Sequence, residues 1–117
     1  MTVRRIVANI AASDPEAAQD FYGRILGLET LMDQGWIRTM GAKELASVQI
    51  SFASQGGSGT PVPDISIEVD DLDAVHALMT ASGYDVSYGP VVEPWGVRRF
   101  YVRDPFGRLV NILTHMG

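Results

Sequence analysis

The sequence predicts an α+β protein built from two copies of one βαβββ unit. Its 117 residues suit one domain or two small modules that share a core. A segment rich in glycine and proline, residues 56–63, divides the chain near its middle and reads as a linker. The same order of an apolar strand, a capped helix and three extended segments occurs on both sides of it. We therefore expect modules at 1–55 and 64–117.

The first module begins with an apolar strand at 6–11, which leads into a helix. Asp14 is the expected N-cap with Pro15 at the first helical position, or Ser13 caps the helix with Glu16 closing a capping box. The spacing i, i+3, i+4, i+7 predicts one buried helical face, formed by Ala18, Phe21, Tyr22 and Ile25. Gly27 ends the helix. Three extended segments follow at about 28–33, 36–40 and 47–53.

The second module repeats this pattern. A strictly alternating strand at 65–69 leads into the caps Asp70 and Asp71, and Gly83 ends the helix. The expected buried helical face consists of Val75, Leu78, Met79 and Ser82. Three extended segments follow at about 84–92, 97–103 and 108–114, the last two joined by a tight turn at 104–107. One fixed offset places Asp14 on Asp71, Ala18 on Val75 and Phe21 on Leu78.

Composition and charge exclude several classes of function. The chain has no cysteine, which excludes disulfides, thiolate catalysis and zinc fingers. Its net charge is −5, and residues 64–85 carry six acids and no lysine or arginine, so nucleic acid is not an expected partner. No apolar run approaches the ~18 residues that would span a bilayer. The first residues fit a secretory signal poorly, so we expect a cytoplasmic protein without a membrane partner.

The most specific motif lies in the second half of the chain, in the stretch Glu93-Pro94-Trp95-Gly96-Val97-Arg98-Arg99-Phe100-Tyr101-Val102-Arg103-Asp104-Pro105-Phe106-Gly107. It resembles the P-W-G-x-R-x-F-x-x-x-D-P-x-G signature of the vicinal oxygen chelate superfamily, the glyoxalase, bleomycin-resistance and extradiol dioxygenase group. The bleomycin-resistance branch is the most similar. The resemblance covers essentially the whole chain. It implies two modules whose mixed sheets curl into an incomplete barrel around a cavity, with the helices outside.

Strand alternation predicts which polar side chains face that cavity. If the apolar positions pack under the helices, the inward polar set is Asn9, Gln49, Ser51, Asp64, Ser66, Glu68 and Asn111. Ile6, Ala8 and Ile10 are then expected under the first helix, and Phe21 and Phe52 in the core. The resemblance adds aromatic side chains that stack on planar drug rings, at Trp36, Trp95 and Tyr101. Arg38 and Arg98 lie on strands and are candidates for pairing with a cavity carboxylate or binding an anion.

The resemblance also indicates where metal-using relatives place their ligands. Those positions hold Val7, then Gln49 or a neighbour, then Asp64 and Asn111. One carboxylate and two amides make a poor site for a divalent transition metal, so we favour neither a metal nor any other cofactor. His76 is expected on the surface, whereas His115 is a candidate site residue whose role the sequence does not decide. Asp64 and Glu68 lie four residues apart on a strand, ~13 Å, which is too far for a catalytic pair.

Three functional hypotheses follow. The first is a metal-independent protein that binds or sequesters a small, drug-like molecule and acts as a homodimer. The second is a metal-dependent lyase or dioxygenase with an atypical ligand set at Asp64, Gln49, Asn111 and His115. The third is an interaction module without turnover. Under the first hypothesis we expect a planar, cationic ligand, because Asp64 and Glu68 have no inward lysine or histidine assigned beside them.

Overall fold

The computed structural model describes residues 2–42 and 45–116. The chain divides into two compact units: an N-terminal unit, Val7–Val62, and a C-terminal unit formed by Met1–Ile6 and Pro63–Gly117. The strands are β1 (Val3–Ala11), β2 (Glu29–Asp33), β3 (Ile37–Ala42), β4 (Leu45–Ala53), β5 (Ile65–Val69), β6 (Val86–Glu93), β7 (Val97–Arg103) and β8 (Leu109–His115). The helical segments are a 3-10 turn (Pro15–Ala17), a π-helix (Gln19–Ile25) and the α-helix α1 (Leu72–Ala81).

Both units have the same strand order. In the N-terminal unit β1 pairs parallel with β4, β4 antiparallel with β3, and β3 antiparallel with β2. In the C-terminal unit β5 pairs parallel with β8, β8 antiparallel with β7, and β7 antiparallel with β6. The predicted α+β class and the repeated βαβββ unit are therefore confirmed.

The core of the C-terminal unit lies between α1 and one face of its sheet. Val69, Phe100, Val102, Val110 and Ile112 are buried there with Leu72 and Val75 of α1. Because strand residues alternate between faces, the residues between these apolar positions lie on the opposite face. The alternation predicted for 65–69 and for Val110 and Ile112 is thus the one observed.

The helix of the N-terminal unit differs from the prediction. It is a 3-10 turn followed by a π-helix, with the amide of Leu26 donating to the carbonyl of Phe21. A π-helical turn contains more residues than an α-helical one, so the i, i+3 positions rotate off the buried face. Ala18 is buried and Tyr22 packs on Phe52, whereas Phe21 and Ile25 are 57% and 58% exposed.

Five further burial predictions are wrong, since Ala8 and Ser82 are exposed as well as Leu78, Ile6 and Ile10. Leu78, which the repeat aligns with Phe21, is 61% exposed because the apolar stripe of α1 runs along Leu72, Val75 and Met79. Ile6 and Ile10 of β1 are 56% and 40% exposed, although Ile10 pairs with the core residue Phe52. In the described part of the chain, no helix is both long and apolar enough to cross a membrane.

Candidate functional site

The polar face of the C-terminal unit, opposite α1, carries a row of side chains across four strands. Ser66 of β5 pairs with Asn111 of β8, which pairs with Tyr101 of β7, which pairs with Tyr88 of β6. The Asn111 amide nitrogen donates to the Ser66 hydroxyl at 3.1 Å. Asn111 is 7% exposed, and within residues 2–42 and 45–116 its buried side-chain oxygen has no hydrogen-bond partner. This row therefore contains an acceptor that lacks a donor.

An aromatic cluster with a buried ion pair continues this face. Arg99 and Glu93 have side chains that are each 3% exposed, with Nη2 of Arg99 2.6 Å from Oε2 of Glu93. The same oxygen accepts from Arg99 Nε at 2.8 Å and from the Tyr88 hydroxyl at 3.1 Å. Arg99 also donates to the Tyr101 hydroxyl at 3.1 Å. Its guanidinium carbon lies 5.5, 5.0 and 4.9 Å from the ring centroids of Tyr88, Trp95 and Tyr101, within cation–π range.

Glu68 forms a second charged group on this face. Its Oε2 lies 2.7 Å from Nδ1 of His115, and its Oε1 lies 3.3 Å from Nε of Arg5. Asp64 stands just before β5, where its carboxylate accepts from the Leu109 amide at 3.0 Å and lies 3.9 Å from Arg108. The expectation that no lysine or histidine lies beside these carboxylates is wrong for Glu68, because His115 contacts it. Arg5 beside Glu68 and Arg108 beside Asp64 add further positive charge.

The polar face of the N-terminal unit repeats the row in simpler form. Asn9 of β1 pairs with Ser51 of β4, which pairs with Thr39 of β3, and the two hydroxyls are hydrogen-bonded at 2.7 Å. Gln49 lies two residues before Ser51 on the same face. The inward placement predicted for Asn9, Gln49 and Ser51 matches this face. The four residues of this row, Asn9, Thr39, Gln49 and Ser51, are all uncharged.

Both arginine candidates lie on the opposite, helix-covered faces. Arg98 is ion-paired with Asp73 of α1, and Arg38 with Asp33. Arg38 also donates to Gln19 of the π-helix and to Thr30. Both candidate arginines are thus paired away from the polar face, with Asp73 and Asp33 rather than with a carboxylate of that face. Tyr101 pairs with Asn111 and lies on the polar face, and alternation from it points to Arg99 rather than to Arg98.

The tryptophans occupy the same turn of the two repeats. Trp36 precedes β3 and its carbonyl accepts from the Ser54 amide at 2.9 Å, whereas Trp95 precedes β7 and covers Arg99. Both are half-buried. His76, expected on the surface, is half-buried with its ring edge-on to Phe100 at 5.1 Å. His115 is brought into the site by Glu68.

Sequence reasoning missed Arg5, Thr39, Tyr88, Glu93 and Arg99. Arg99 and Glu93 stand in the signature stretch, and alternation from Tyr101 was a sufficient signal for Arg99. Tyr88 follows from pairing with Tyr101, and pairing registers are not readable from one sequence. Arg5 could be assigned to the site only from the structure, which groups the start of β1 with the C-terminal unit.

The donor set does not fit a transition metal. Among residues 2–42 and 45–116, no three His, Cys, Asp or Glu side chains are grouped so that they could hold a metal ion. Asp64 is engaged by a backbone amide, and the amide nitrogen of Asn111 is used by Ser66. Transition-metal ions favour imidazole and carboxylate ligands, which this donor set does not supply.

Each unit is thus a mixed sheet with one helix-packed apolar face and one polar face, an α+β architecture repeated within the chain. The sequence profile of the Glyoxalase/Bleomycin resistance protein/Dioxygenase superfamily matches residues 4–112. The chain belongs to this superfamily. A search of curated protein sequences finds no match.

Solved structures share the fold at low sequence identity. A hypothetical protein from Bacillus halodurans has a TM-score of 0.76 at 15% identity, covering 100% of this chain and 97% of its own. Methylmalonyl-CoA epimerase from Streptomyces coelicolor, in complex with 2-nitronate-propionyl-CoA, has a TM-score of 0.69 at 20% identity, covering 99% and 100%. The Mn(II)-bound glyoxalase from Novosphingobium aromaticivorans has a TM-score of 0.63 at 20% identity, covering 96% and 38%. These similarities establish the fold.

Proposed function

We propose that this protein binds and sequesters a small, planar organic molecule on the polar face of its C-terminal unit, without a metal. The observation that carries the proposal is the buried, unpartnered oxygen of Asn111, next to Tyr101 and the aromatic cluster. A buried acceptor without a donor is costly, so a ligand stabilises it either by donating an N–H or O–H to it or by accepting from a bridging water that donates to it. Quinoline, whose ring nitrogen only accepts, uses the bridging water. Membership of a superfamily whose members bind small molecules supports this role.

The charges on this face change the expected ligand. Glu68 is paired with Arg5, Glu93 with Arg99, and Asp64 lies near Arg108. The electrostatic reason for a cationic ligand is therefore lost, and a neutral planar ligand disturbs none of these pairs. We expect quinoline to bind more tightly than N-methylquinolinium or quinoline-2-carboxylate, measured by isothermal titration calorimetry. Tighter binding of the cation, weakened by salt, would restore the cationic hypothesis.

The two tryptophans provide a matched control for the location of the site. Trp95 covers Arg99 in the C-terminal unit, and Trp36 occupies the equivalent turn of the N-terminal unit. Quinoline binding should change the fluorescence of the Trp36→Phe variant, which retains Trp95, and leave that of Trp95→Phe unchanged. Asn111→Leu should weaken binding about tenfold without lowering the unfolding midpoint by more than a few degrees. An unchanged affinity in Asn111→Leu contradicts the proposal.

The competing function is a metal-dependent lyase or dioxygenase of the same superfamily. Metal analysis of tag-free protein distinguishes the two. We expect no stoichiometric Ni, Zn, Mn or Fe, and quinoline affinity unchanged by EDTA. Stoichiometric metal that is lost in Asp64→Ala would reject the metal-independent function and favour the enzyme.

A further inference from the structure

His115 and Glu68 form a pair with a defined hydrogen-bond direction. Nδ1 of His115 lies 2.7 Å from Oε2 of Glu68. An ionised carboxylate only accepts hydrogen bonds, so a neutral imidazole donates from Nδ1 and has its lone pair on Nε2. The Glu68 side chain is 16% exposed and the His115 side chain 54% exposed. The basic nitrogen therefore belongs to a ring that solvent and small molecules can reach.

Arg5 restrains the carboxylate from its other side. Its Nε lies 3.3 Å from Oε1 of Glu68, so both carboxylate oxygens have a partner. This ion pair favours the orientation of Glu68 in which its other oxygen holds the imidazole. Arg99 and Glu93, also on the polar face, are buried in their own ion pair. Glu68 is therefore the residue that positions His115.

The pair lies on the face assigned to the ligand. His115, Leu113 and Asn111 alternate along β8 and share one face, and Glu68 pairs with Leu113. Asn111 and His115 are four residues apart, ~13 Å along the strand, with the buried Leu113 between them. His115 thus stands at the exposed end of the strand whose buried part carries the Asn111 row, so a planar molecule bound along this face comes within reach of the imidazole.

We propose that His115 is a general base that removes a proton from a planar aromatic molecule carrying a weakly acidic hydrogen, with Glu68 as its positioning residue. The proposal rests on the proposed function for the place where the molecule binds. Positioned bases of this kind contribute typically ~10²–10⁴-fold to a rate. No metal, oxidant or reductant is required.

The probe is 5-nitrobenzisoxazole, a planar neutral compound whose ring C–H bond is acidic. Nε2 of His115 takes this proton, the C–H electron pair completes the nitrile triple bond, and the ring N–O bond breaks. The oxygen leaves as a coloured phenolate, and the imidazolium returns the proton to water. The initial rate is followed by absorbance against a buffer blank.

His76 supplies the matched control, because the chain has two histidines and His76 packs on Phe100. His115→Gln should lower the rate at least tenfold, and His76→Gln should leave it unchanged. Glu68→Ala should lower it, and Glu68→Gln, whose carbonyl still accepts from Nδ1, should restore part of the loss. Equal rates for the wild-type protein and His115→Gln would overturn the proposal.

Two measurements separate this proposal from the proposed function. The ¹⁵N chemical shifts of His115 should show the proton on Nδ1 in the wild-type protein and on Nε2 in Glu68→Ala; a Nε2–H tautomer in the wild-type protein overturns the assigned base. Affinity for 5-nitroindazole, a planar analogue that does not react, reports binding alone. If the wild-type protein binds 5-nitroindazole but reacts no faster than His115→Gln, only the general base is rejected. If the wild-type protein does not bind 5-nitroindazole, the binding site is rejected.

Discussion

At the scale of single residues, two adjacent arginines show how strand alternation decides a role. Arg98 lies towards α1 and forms an ion pair with Asp73, whose side chain is 77% exposed. Arg99, the next residue, lies on the opposite face, where its ion pair with Glu93 is almost fully buried. The same functional group is therefore solvent-screened at one position and desolvated at the next.

This difference predicts a large contrast in stability. Glu93→Ala leaves the Arg99 guanidinium buried without its carboxylate, and we expect a loss of about 3–5 kcal/mol in the free energy of unfolding. Asp73→Ala, the matched change at Arg98, should cost at most about 1 kcal/mol. Urea unfolding of both variants measures the contrast, and the double variant Glu93→Leu with Arg99→Met should recover most of the loss. Equal effects of the two single variants would show that burial does not distinguish the pairs.

Asp70 provides a prediction about pH. The backbone amide of Thr2 donates a hydrogen bond to the Asp70 carboxylate at 2.7 Å, and this bond lowers the pKa of Asp70 below its usual value. Because the pKa is lower in the folded than in the unfolded state, Asp70 stabilises the fold above its unfolded pKa. That contribution is lost as the pH falls through the folded pKa. Thr2→Pro removes the donor and should raise the titration midpoint in carboxyl ¹³C NMR, whereas Thr2→Ala retains it. An unchanged midpoint in Thr2→Pro would assign the shift to another cause.

At the scale of elements, the two repeats begin their helices differently although their sequences look alike. Asp71 caps α1, and its carboxylate accepts from the Ala74 amide at 3.1 Å. Asp14 occupies the same position before the 3-10 turn but makes no side-chain capping bond. We expect Asp71→Ala to cost about 1 kcal/mol in thermal or urea unfolding, with Asp71→Ser close to wild type. Asp14→Ala should cost less, and a larger loss at Asp14 would contradict the observed caps.

Element order was predictable because it depends on local signals. Pro15, Gly27 and Gly83 mark helix starts and ends, and the alternation at 65–69 marks a strand. The π-helix was not predictable, since Phe21 and Ile25 have the spacing of an α-helical face and only tertiary contacts select the wider turn. In the C-terminal repeat the predicted burial of Leu78, at the aligned position, was wrong. The apolar residues of a short helix are compatible with more than one choice of buried face.

The candidate site was predictable by face but not by pairing. Alternation placed Ser66, Glu68 and Asn111 together on the polar face, as observed. The partners of the charged groups were not predictable. The contact of Glu68 with Arg5 joins residues far apart in the chain, and the buried pair of Arg99 with Glu93 bridges a turn. Long-range register sets these contacts, and one sequence does not encode it in any local signal.

At the scale of the whole molecule, large apolar side chains of the N-terminal unit are left exposed. Phe21, Ile25 and Leu26 are each more than half exposed, and Leu31 and Met32 of β2 more than a third. Extended apolar surface of this kind is uncommon on monomers and typical of association sites. Closed two-fold dimers are the commonest oligomers, so a homodimer is the assembly that we expect this surface to form.

We therefore predict a homodimer at micromolar concentration that depends on these residues. Ile25→Lys places a charge in the exposed apolar segment and should shift sedimentation towards the monomer by at least a tenfold increase in the dissociation constant. Val92→Lys is the control, because Val92 is equally exposed, at 58%, on β6 of the C-terminal unit. It should leave the dimer unchanged, since its surroundings are not part of the segment. A stable wild-type monomer, or equal weakening by both variants, would reject this surface as the dimer contact.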